Sequence, residues 1–339
     1  MTAYIFIPFN IRVMSMQTPT STPEKYLELS DGRTLAYAEY GNSSSSTLVI
    51  YMHGMFTVGS ASDSKVLKEK DFHYISPTLP GFGTSSPRNK DKSFALGLVS
   101  DITALIDHLH PHDLNLKIYV AGGSFGTVPA QMLYGAPFDV FPYGRYIAGC
   151  MLLNPVSPPR YHADYAKSLS MANYISIGPP SRYIPFKLVP RLVAFMMHRQ
   201  LKTVEDAERF IRGLLFDNMK EDESTAFKKW KEDNGKKDGE LERSMAEDTR
   251  KSVQYSWEGC LDAPDVIHED WGFNPAQLDD EHNKRPIFIV TTDEDTMAPD
   301  ANAKWLAASY KNSRYLSLPG GHIGAIFHMN EIWRQFLEF

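Results

Sequence analysis

Uninterrupted apolar runs and amphipathic stretches alternate through the first half of the chain. Runs that are apolar at nearly every position occupy residues 47–54, 116–124 and 146–155. Such runs are typical of strands that are buried on both faces of a sheet. Residues 93–109 instead place apolar side chains at helical spacing, and another helix is predicted from about Thr127. This alternation of strands and helices predicts a mostly parallel sheet with helices on both faces.

Five further strands complete the predicted sheet. Residues 25–41 alternate between apolar and polar positions around an Asp-Gly pair, which predicts a β-hairpin. A strand that ends in a Gly/Pro-rich loop is predicted within 73–87. Two more strands, each followed by a loop and a helix, are predicted within 285–299 and 313–324. The predicted fold class is therefore α/β, with an eight-stranded, mostly parallel, doubly wound sheet.

The alternation stops near Pro155 and resumes near residue 279. The stretch between them has a helical pattern, carries many charged and aromatic residues, and is close to the size of an ordinary domain. We therefore predict an N-terminal extension at 1–23, a core formed by 24–155 and 279–339, and a helical insertion at 156–278.

The N-terminal extension lacks the features of a secretory signal. Pro8, Asn10 and Arg12 interrupt its apolar residues, no basic segment precedes them, and no small-residue cleavage site follows. A role in organelle targeting stays open, because no acidic residue precedes Glu24. No apolar run in the sequence reaches the ~18 residues of a membrane-spanning helix.

The net charge and the cysteine content limit the kinds of molecule that the protein binds and the cell compartment in which it works. The chain of 339 residues has a formal net charge of −6, and its Lys and Arg residues are spread along it. Nucleic-acid binders carry a basic stripe instead. Two cysteines in a chain of this length do not form a disulfide framework, which favours a reducing compartment. We expect a cytoplasmic protein, monomeric or homodimeric, that acts on a small molecule.

Residues 122–126, Gly-Gly-Ser-Phe-Gly, fit the pattern G-x-S-x-G between a predicted strand and a predicted helix. In such a turn the serine is exposed above the sheet edge, and the small flanking residues let the strand and helix backbones approach each other. A plain glycine turn is the alternative, because the pentapeptide alone occurs by chance. Ser124 is therefore a candidate nucleophile that needs partners elsewhere in the chain.

Two residues of the C-terminal part can supply those partners. A serine hydroxyl is a weak nucleophile at neutral pH, so it needs a base, and the base needs an orienting carboxylate. His322 follows the strand predicted at 315–318, and Asp295 follows the strand predicted at 287–291. The order Ser, Asp, His along the chain is the one expected for a nucleophile turn of this kind. Loops gather at the carboxyl edge of a parallel sheet, so the three residues are expected to meet there.

Five segments together resemble the α/β-hydrolase superfamily, and the resemblance runs from about residue 24 to the last residue. These segments are LVIYMHGM, PTLPGFGTSSP, VAGGSFGT, TTDEDTMAP and LPGGH. The resemblance implies that Ser124 is the nucleophile, His322 the general base and acid, and Asp295 the orienting acid. It also implies that the backbone N–H groups of Met55 and Phe125 form the oxyanion hole.

Two features of the sequence bear on the identity of the orienting acid and on the chemistry of the nucleophile. Asp293 and Glu294 stand beside Asp295, which is preferred because the acid of this family usually lies four residues before a proline. Dehalogenases and epoxide hydrolases of this fold carry an aspartate at the nucleophile position. Ser124 therefore implies acyl transfer to serine and then to water.

The insertion lies where members of this family carry a cap or lid. Its many aromatic and methionine residues suit a hydrophobic acyl or alcohol group. Phe56, Met196 and Trp257 are predicted to contact the substrate. No cofactor and no metal are expected. The histidines near the end of the helix at 93–109 (His108, His110 and His112) lack further residues that could complete a metal site, and they are interpreted as a helix end at the surface.

The leading hypothesis is a serine hydrolase acting on an ester, thioester or lactone of a hydrophobic small molecule. A peptidase similar to proline iminopeptidases is an alternative suggested by GGSFG, although HGMFTVG lacks the glycine-rich turn of those enzymes. A lyase or C–C hydrolase that uses the same three residues is another alternative. The last alternative is a protein that keeps the fold and binds a ligand but does not catalyse a reaction.

Overall fold

A computed structural model of the chain describes residues 23–61, 65–111, 113 and 115–338. The predicted N-terminal extension lies, apart from Pro23, outside the described residues. Each of the eight predicted strands is present. They are β1 (Lys25–Glu28), β2 (Thr34–Gly41), β3 (Thr47–Met52), β4 (His73–Pro77), β5 (Lys117–Gly123), β6 (Ile147–Leu153), β7 (Ile287–Thr292) and β8 (Ser313–Leu318).

The strands form one sheet in the order β1-β2-β4-β3-β5-β6-β7-β8. Strands β3 to β8 are mutually parallel, whereas β2 runs antiparallel to both β1 and β4. The predicted fold class is therefore confirmed. The winding direction changes at β3, which lies between β4 and β5, and ligands of such sheets bind at the carboxyl edge beside this reversal.

Helices cover both faces of the sheet and fill the segment between β6 and β7. They are α1 (Lys65–Lys68), α2 (Phe94–Leu109), α3 (Thr127–Gly135), α4 (Met171–Ser176), α5 (Pro179–Tyr183), α6 (Leu188–Gln200), α7 (Val204–Ile211), α8 (Glu221–Asn234), α9 (Glu240–Ser252), α10 (Glu258–His268), α11 (Asp280–Asn283), α12 (Asp300–Ser309) and α13 (Met329–Leu337). The helix predicted at 93–109 begins after Ser93, whose side chain caps it by accepting a hydrogen bond from the Leu96 N–H.

Successive residues of the central strands face two separate cores. Ile118 and Val120 of β5 pack in the core that includes α2, α3 and α12. Tyr119 and Ala121 of the same strand pack in the core that includes α1 and α13. Burial on both faces explains why these strands are apolar at nearly every position.

The helical insertion has a core of its own and packs against the sheet domain at several places. Helices α7 and α9 pack together around Ala207 and Ala246. Helix α10 contributes Val266 to the large core beside α2 and α3. Phe227 of α8 packs on Phe327, which follows β8. The insertion is thereby held over the carboxyl edge of the sheet.

Candidate active site

Strand β5 ends at Gly123, and the chain then turns sharply through Ser124 into α3. Ser124 has a φ of 52°, a left-handed conformation that is uncommon for a residue other than glycine. A Cβ on Gly122 would collide with the carbonyl oxygen of Gly126, and a Cβ on Gly126 would collide with that of Met52. Glycine is therefore required where β3, β5 and α3 approach each other, and this close approach holds Ser124 at the sheet edge.

The three residues expected to meet do meet. Nε2 of His322 lies 3.0 Å from Oγ of Ser124, and Nδ1 of His322 lies 2.7 Å from Oδ2 of Asp295. The other carboxylate oxygen of Asp295 accepts hydrogen bonds from the N–H groups of Met297 and Ala298 at 2.7 and 3.0 Å. The Asp295 side chain is fully buried, so these bonds and the imidazole satisfy a carboxylate that water does not reach.

The two acidic neighbours of Asp295 turn elsewhere. Asp293 accepts a hydrogen bond from the Gly320 N–H at 3.1 Å, and Glu294 pairs with Lys220 of the segment before α8. The geometry therefore singles out Asp295 from the three adjacent acids.

Asn154, at the carboxyl end of β6, joins the loops that carry Asp295 and His322. Its amide donates to the carbonyl oxygen of His322 at 2.6 Å and accepts from the N–H of Thr292 at 3.0 Å. The Thr292 hydroxyl donates to the carbonyl oxygen of Gly321 at 2.8 Å. The sequence interpretation did not identify Asn154. A polar residue directly after a buried apolar strand of a parallel sheet was the available signal.

Met55, after β3, and Phe125, after Ser124, both line the cavity beside Ser124. Neither backbone N–H group donates a hydrogen bond to another described residue. Unpaired amides at the reaction centre are what an oxyanion requires. Phe56 follows Met55 in a left-handed conformation with a φ of 55°, which bends the loop at this point.

His53 fixes the loop that carries Met55. Its Nδ1 donates to the carbonyl oxygen of Gly54, while its Nε2 accepts from the N–H of Leu79, both at 2.8 Å. The ring must be neutral to do both. Burial lowers the pKa of His53 to about 4, in agreement with that state. His53 therefore joins the loops after β3 and β4.

A cavity of about 690 Å³ opens above Ser124, between the sheet edge and the helical insertion. Its walls are mostly apolar, and Phe56 and Trp257, two of the three predicted substrate contacts, both line it. Their rings meet edge to face at 6.5 Å. The cavity has the size and lining of a small-molecule site.

The third predicted contact, Met196, does not line the cavity. It lies on the outer side of α6 and is 53% exposed. Met197, one residue further along the helix, lines the cavity instead. Neighbouring residues of a helix are about 100° apart, so a single position separates the inner side from the outer side.

Asp248 of α9 brings a carboxyl group to this mostly apolar wall. Burial raises its pKa to about 6, nearby Glu247 adds to the effect, and Lys251 opposes it. No donor among the described residues hydrogen bonds to this side chain. The sequence interpretation missed Asp248, because the charged pattern of α9 resembles an ordinary solvated helix.

Glu223 of α8 brings a second carboxyl group close to His322. It is buried against Gly320 and Gly321, and its Oε1 has no hydrogen-bond partner among the described residues. Burial raises the pKa of Glu223, and the nearby carboxylates of Glu294 and Asp295 raise it further. The insertion thus contacts the backbone that positions His322.

The histidines near the end of α2 separate from one another. His110 is buried, with Nε2 at 2.8 Å from Nδ1 of His73, while His108 is exposed and His112 lies outside the described residues. Within the described part of the chain, no group of three or more His, Cys, Asp or Glu side chains is arranged to hold a metal ion. A search of the same residues for helices long and apolar enough to cross a membrane finds none.

A sequence model described as the alpha/beta hydrolase family matches residues 49–333. No protein among the curated sequences matches the chain.

Solved structures resemble the chain along most of its length. A hydrolase from Pseudomonas aeruginosa PA01 is 18% identical over 93% of this chain and 98% of its own, with a TM-score of 0.58. A bromoperoxidase from Bacillus anthracis is 16% identical over 94% and 100%, with a TM-score of 0.59. An esterase from Rhodococcus sp. ECU1013 is 16% identical over 93% and 98%, with a TM-score of 0.55. At these identities the likeness establishes the fold alone.

Proposed function

Because the chain belongs to the alpha/beta hydrolase family, we propose that it is a serine hydrolase cleaving a carboxylic ester, thioester or lactone of a hydrophobic small molecule. The observation that carries this proposal is the hydrogen-bonded chain from Ser124 through His322 to Asp295, placed at the floor of an apolar cavity. The left-handed backbone of Ser124 supports it, since strain of this kind persists where the surrounding structure holds it.

The first half of the reaction forms an acyl-enzyme. Oγ of Ser124 attacks the carbonyl carbon while Nε2 of His322 takes its proton, and Asp295 stabilises the imidazolium through Nδ1. The N–H groups of Met55 and Phe125 donate to the oxygen that becomes negative. Each such donor typically contributes ~3 kcal/mol to the stability of the transition state. His322 then protonates the leaving alcohol or thiol as the tetrahedral intermediate collapses and its bond to the acyl carbon breaks, which leaves the acyl group on Oγ; in a lactone the new alcohol stays attached to that acyl group.

The second half releases the acyl group to water. A water molecule gives its proton to Nε2 of His322 and attacks the acyl carbon, and the same two N–H groups hold the second oxyanion. The proton returns from His322 to Oγ of Ser124 as the carboxylic acid leaves. Asn154, through the backbone carbonyl of His322, keeps the imidazole in place for both halves.

The cavity wall supports a hydrophobic substrate. Phe56 and Trp257 offer aromatic surface for the acyl or alcohol group, and Met197 takes the part first assigned to Met196. A flexible thioether beside aromatic rings suits a site that adapts to different apolar groups.

Covalent labelling tests the proposal directly. A fluorophosphonate probe should label the full-length protein, and Ser124→Ala should abolish the labelling. Ser244→Ala, at an exposed serine of α9, is the matched control and should label like the unaltered protein. Absence of labelling in folded, unaltered protein contradicts the proposal.

A substrate panel then separates the reaction classes. Nitrophenyl esters of increasing chain length, a thioester and a lactone should be hydrolysed, with kcat/KM rising as the acyl chain lengthens. Faster cleavage of an N-terminal proline amide, or of a ketone or cyanohydrin, points to the peptidase or lyase alternative. Tight ligand binding with no turnover points to the non-catalytic one.

A further inference from the structure

Helix α6 has two apolar faces on opposite sides. Val193 and Met197 line the cavity. Leu188, Leu192 and Phe195, spaced by four and three residues, form a stripe that is exposed to solvent. A helix that covers a core needs only one apolar face, so folding does not account for the outer stripe.

Exposed apolar side chains continue beyond α6 onto the neighbouring elements. Met171 of α4 is 74% exposed, Tyr183 at the end of α5 81%, and Phe186 between α5 and α6 85%. Together with the α6 stripe they form what we call the outer cap face, consisting of Met171, Tyr183, Phe186, Leu188, Leu192 and Phe195. Contiguous exposed apolar surface of this kind marks an interaction site.

The charges around the outer cap face are one-sided. The sequence contains no acidic residue between Asp164 and Glu205, although the whole chain carries a net charge of −6. Arg191 and Arg199 lie on α6 and Lys202 follows it, all three exposed, and none forms an ion pair within the described residues.

Three other cations of this segment are already neutralised. Lys167 pairs with Asp164. Arg182 pairs with Asp265 of α10, and Lys187 pairs with both Asp262 and Asp265. Three unpaired cations therefore remain beside the apolar stripe.

We propose that the outer cap face docks onto a lipid bilayer that contains anionic headgroups. Helices that lie in a membrane interface combine an exposed apolar stripe with flanking Lys and Arg residues. The apolar side chains would enter the boundary between headgroups and acyl chains, while Arg191, Arg199 and Lys202 meet the anionic headgroups. Because the whole protein is acidic, it is repelled by an anionic membrane in most orientations, and this basic face is one that charge favours.

The outer cap face lies on the opposite side of α4 and α6 from the cavity, so docking would bring lipid close to the cavity. Helices α4 and α6 supply cavity-lining residues on their inner sides, including Asn173 and Met197, and exposed apolar residues on their outer sides. One helix, about 10 Å thick, thus separates the cavity from the docked lipid. This short separation suits a substrate that is dissolved in the bilayer rather than in water. This consequence rests on the proposed function, whereas the docking itself does not.

Flotation of the full-length protein with vesicles tests the docking. The protein should float with vesicles of phosphatidylcholine and phosphatidylserine, and much less with phosphatidylcholine alone. Phe186→Ser with Phe195→Ser should weaken binding at least roughly ten-fold, because two side chains that enter the interface are lost. Arg191→Gln with Arg199→Gln should weaken binding to the anionic vesicles roughly thirty-fold, and added salt should have the same direction of effect.

Tyr255→Ser is the matched control, because Tyr255 is an exposed aromatic residue (68%) outside the outer cap face. It should float like the unaltered protein, and so should Ser124→Ala, which separates docking from catalysis. Failure to float with anionic vesicles, or floating that survives the paired Phe substitutions, overturns the proposal. A dimer in solution that the same Phe substitutions dissociate, without flotation, would instead assign the face to a second copy of the chain.

Discussion

Asp295 accepts hydrogen bonds from two backbone N–H groups and from His322, while Asp293, two residues earlier, accepts from the Gly320 N–H instead. The two carboxylates share one loop but only one of them touches the imidazole. Asp295 can therefore fix the tautomer of His322 in which Nε2 is free to accept the serine proton.

The pair provides a matched test. Asp295→Asn should lower kcat about 10³- to 10⁴-fold, because an amide at this position favours the wrong tautomer of the base. Asp293→Asn should change kcat by no more than a few-fold. Steady-state kinetics on a nitrophenyl ester measures both, and equal losses in the two variants would refute the assignment of the acid.

Asp248 predicts a pH dependence of substrate binding. Its pKa is raised to about 6, so the side chain is mostly neutral near pH 5 and mostly ionised near pH 7.5. An apolar group that displaces water from the carboxyl favours the neutral form. The KM for an uncharged ester should therefore rise with pH across this range. The rise should be about seven-fold between pH 5 and pH 7.5 if binding raises the pKa by one further unit.

Asp248→Asn should remove this rise and keep KM low at both ends of the range. Glu247→Gln, at the neighbouring residue of α9 that does not line the cavity, removes a charge that helps to raise the pKa of Asp248, so the rise should persist but begin at a lower pH. Titration of the base also enters KM in an acyl-enzyme mechanism, so the contribution of Asp248 is read as the difference between the KM profiles of the unaltered protein and Asp248→Asn. A KM that is flat with pH in the unaltered protein would count against the prediction.

Residues differ in how far the sequence reveals them. Ser124 and His322 stand in glycine-rich loops that directly follow strands, and local sequence is enough to identify them. Asn154 and Glu223 act on the backbone of residues far away in the chain. Glu223 carries no local signature and Asn154 only its place after a buried strand, because the partners of both residues are set by packing between distant segments.

The backbones of helix α10 and of the loop after β4 are in direct contact. The Gly259 N–H donates to the carbonyl oxygen of Gly81 at 3.0 Å. A Cβ on Gly81 would lie 2.5 Å from that nitrogen, and Gly81 has a φ of 80°. The contact joins the helical insertion to the core next to Phe82, whose ring packs on His53 and Phe125.

Gly81→Ala should therefore lower the free energy of unfolding by more than the penalty for placing an alanine in the left-handed conformation. Gly32, in the turn between β1 and β2, has nearly the same φ (79°) but open space around it. Gly32→Ala should cost about 1–2 kcal/mol of unfolding free energy, the penalty for a left-handed alanine. Gly81→Ala should add about 1–3 kcal/mol for the collision. Urea unfolding of both variants measures the difference, and equal losses would contradict it.

The sheet was predictable because each central strand is buried on both faces, and a continuous apolar run leaves few alternatives. The insertion was predictable as helical but not in the orientation of its helices. Helix α6 is apolar on its inner and outer sides, so its sequence does not reveal which methionine faces the cavity. Only the packing of α6 against its neighbours distinguishes Met197 from Met196.

Buried histidines are distributed through the whole molecule. His53 joins two loops beside Ser124, and His73 and His110 pair near the opposite edge of the sheet. Burial lowers the pKa of all three. A histidine whose pKa is lower in the folded state stabilises the fold above the pKa of the unfolded chain, and the contribution is lost as the pH falls. The buried carboxyls of Asp248 and Glu223, whose pKa values are raised, act in the opposite direction.

The contribution of His53 can be isolated from these opposing effects. Its pKa moves from about 6.5 in the unfolded chain to about 4 in the folded one. Its contribution should thus be complete above about pH 7, should fall by about 2 kcal/mol near pH 5, and should level off below about pH 4. The difference in unfolding free energy between the unaltered protein and His53→Gln should shrink by that amount as the pH falls. His108→Gln, at an exposed histidine of α2, is the matched control for the loss of a histidine side chain. A difference for His53→Gln that is constant with pH would contradict this prediction. It would mean that the ring accepts a proton in the folded protein, so that its bonds to Gly54 and Leu79 do not require the neutral form.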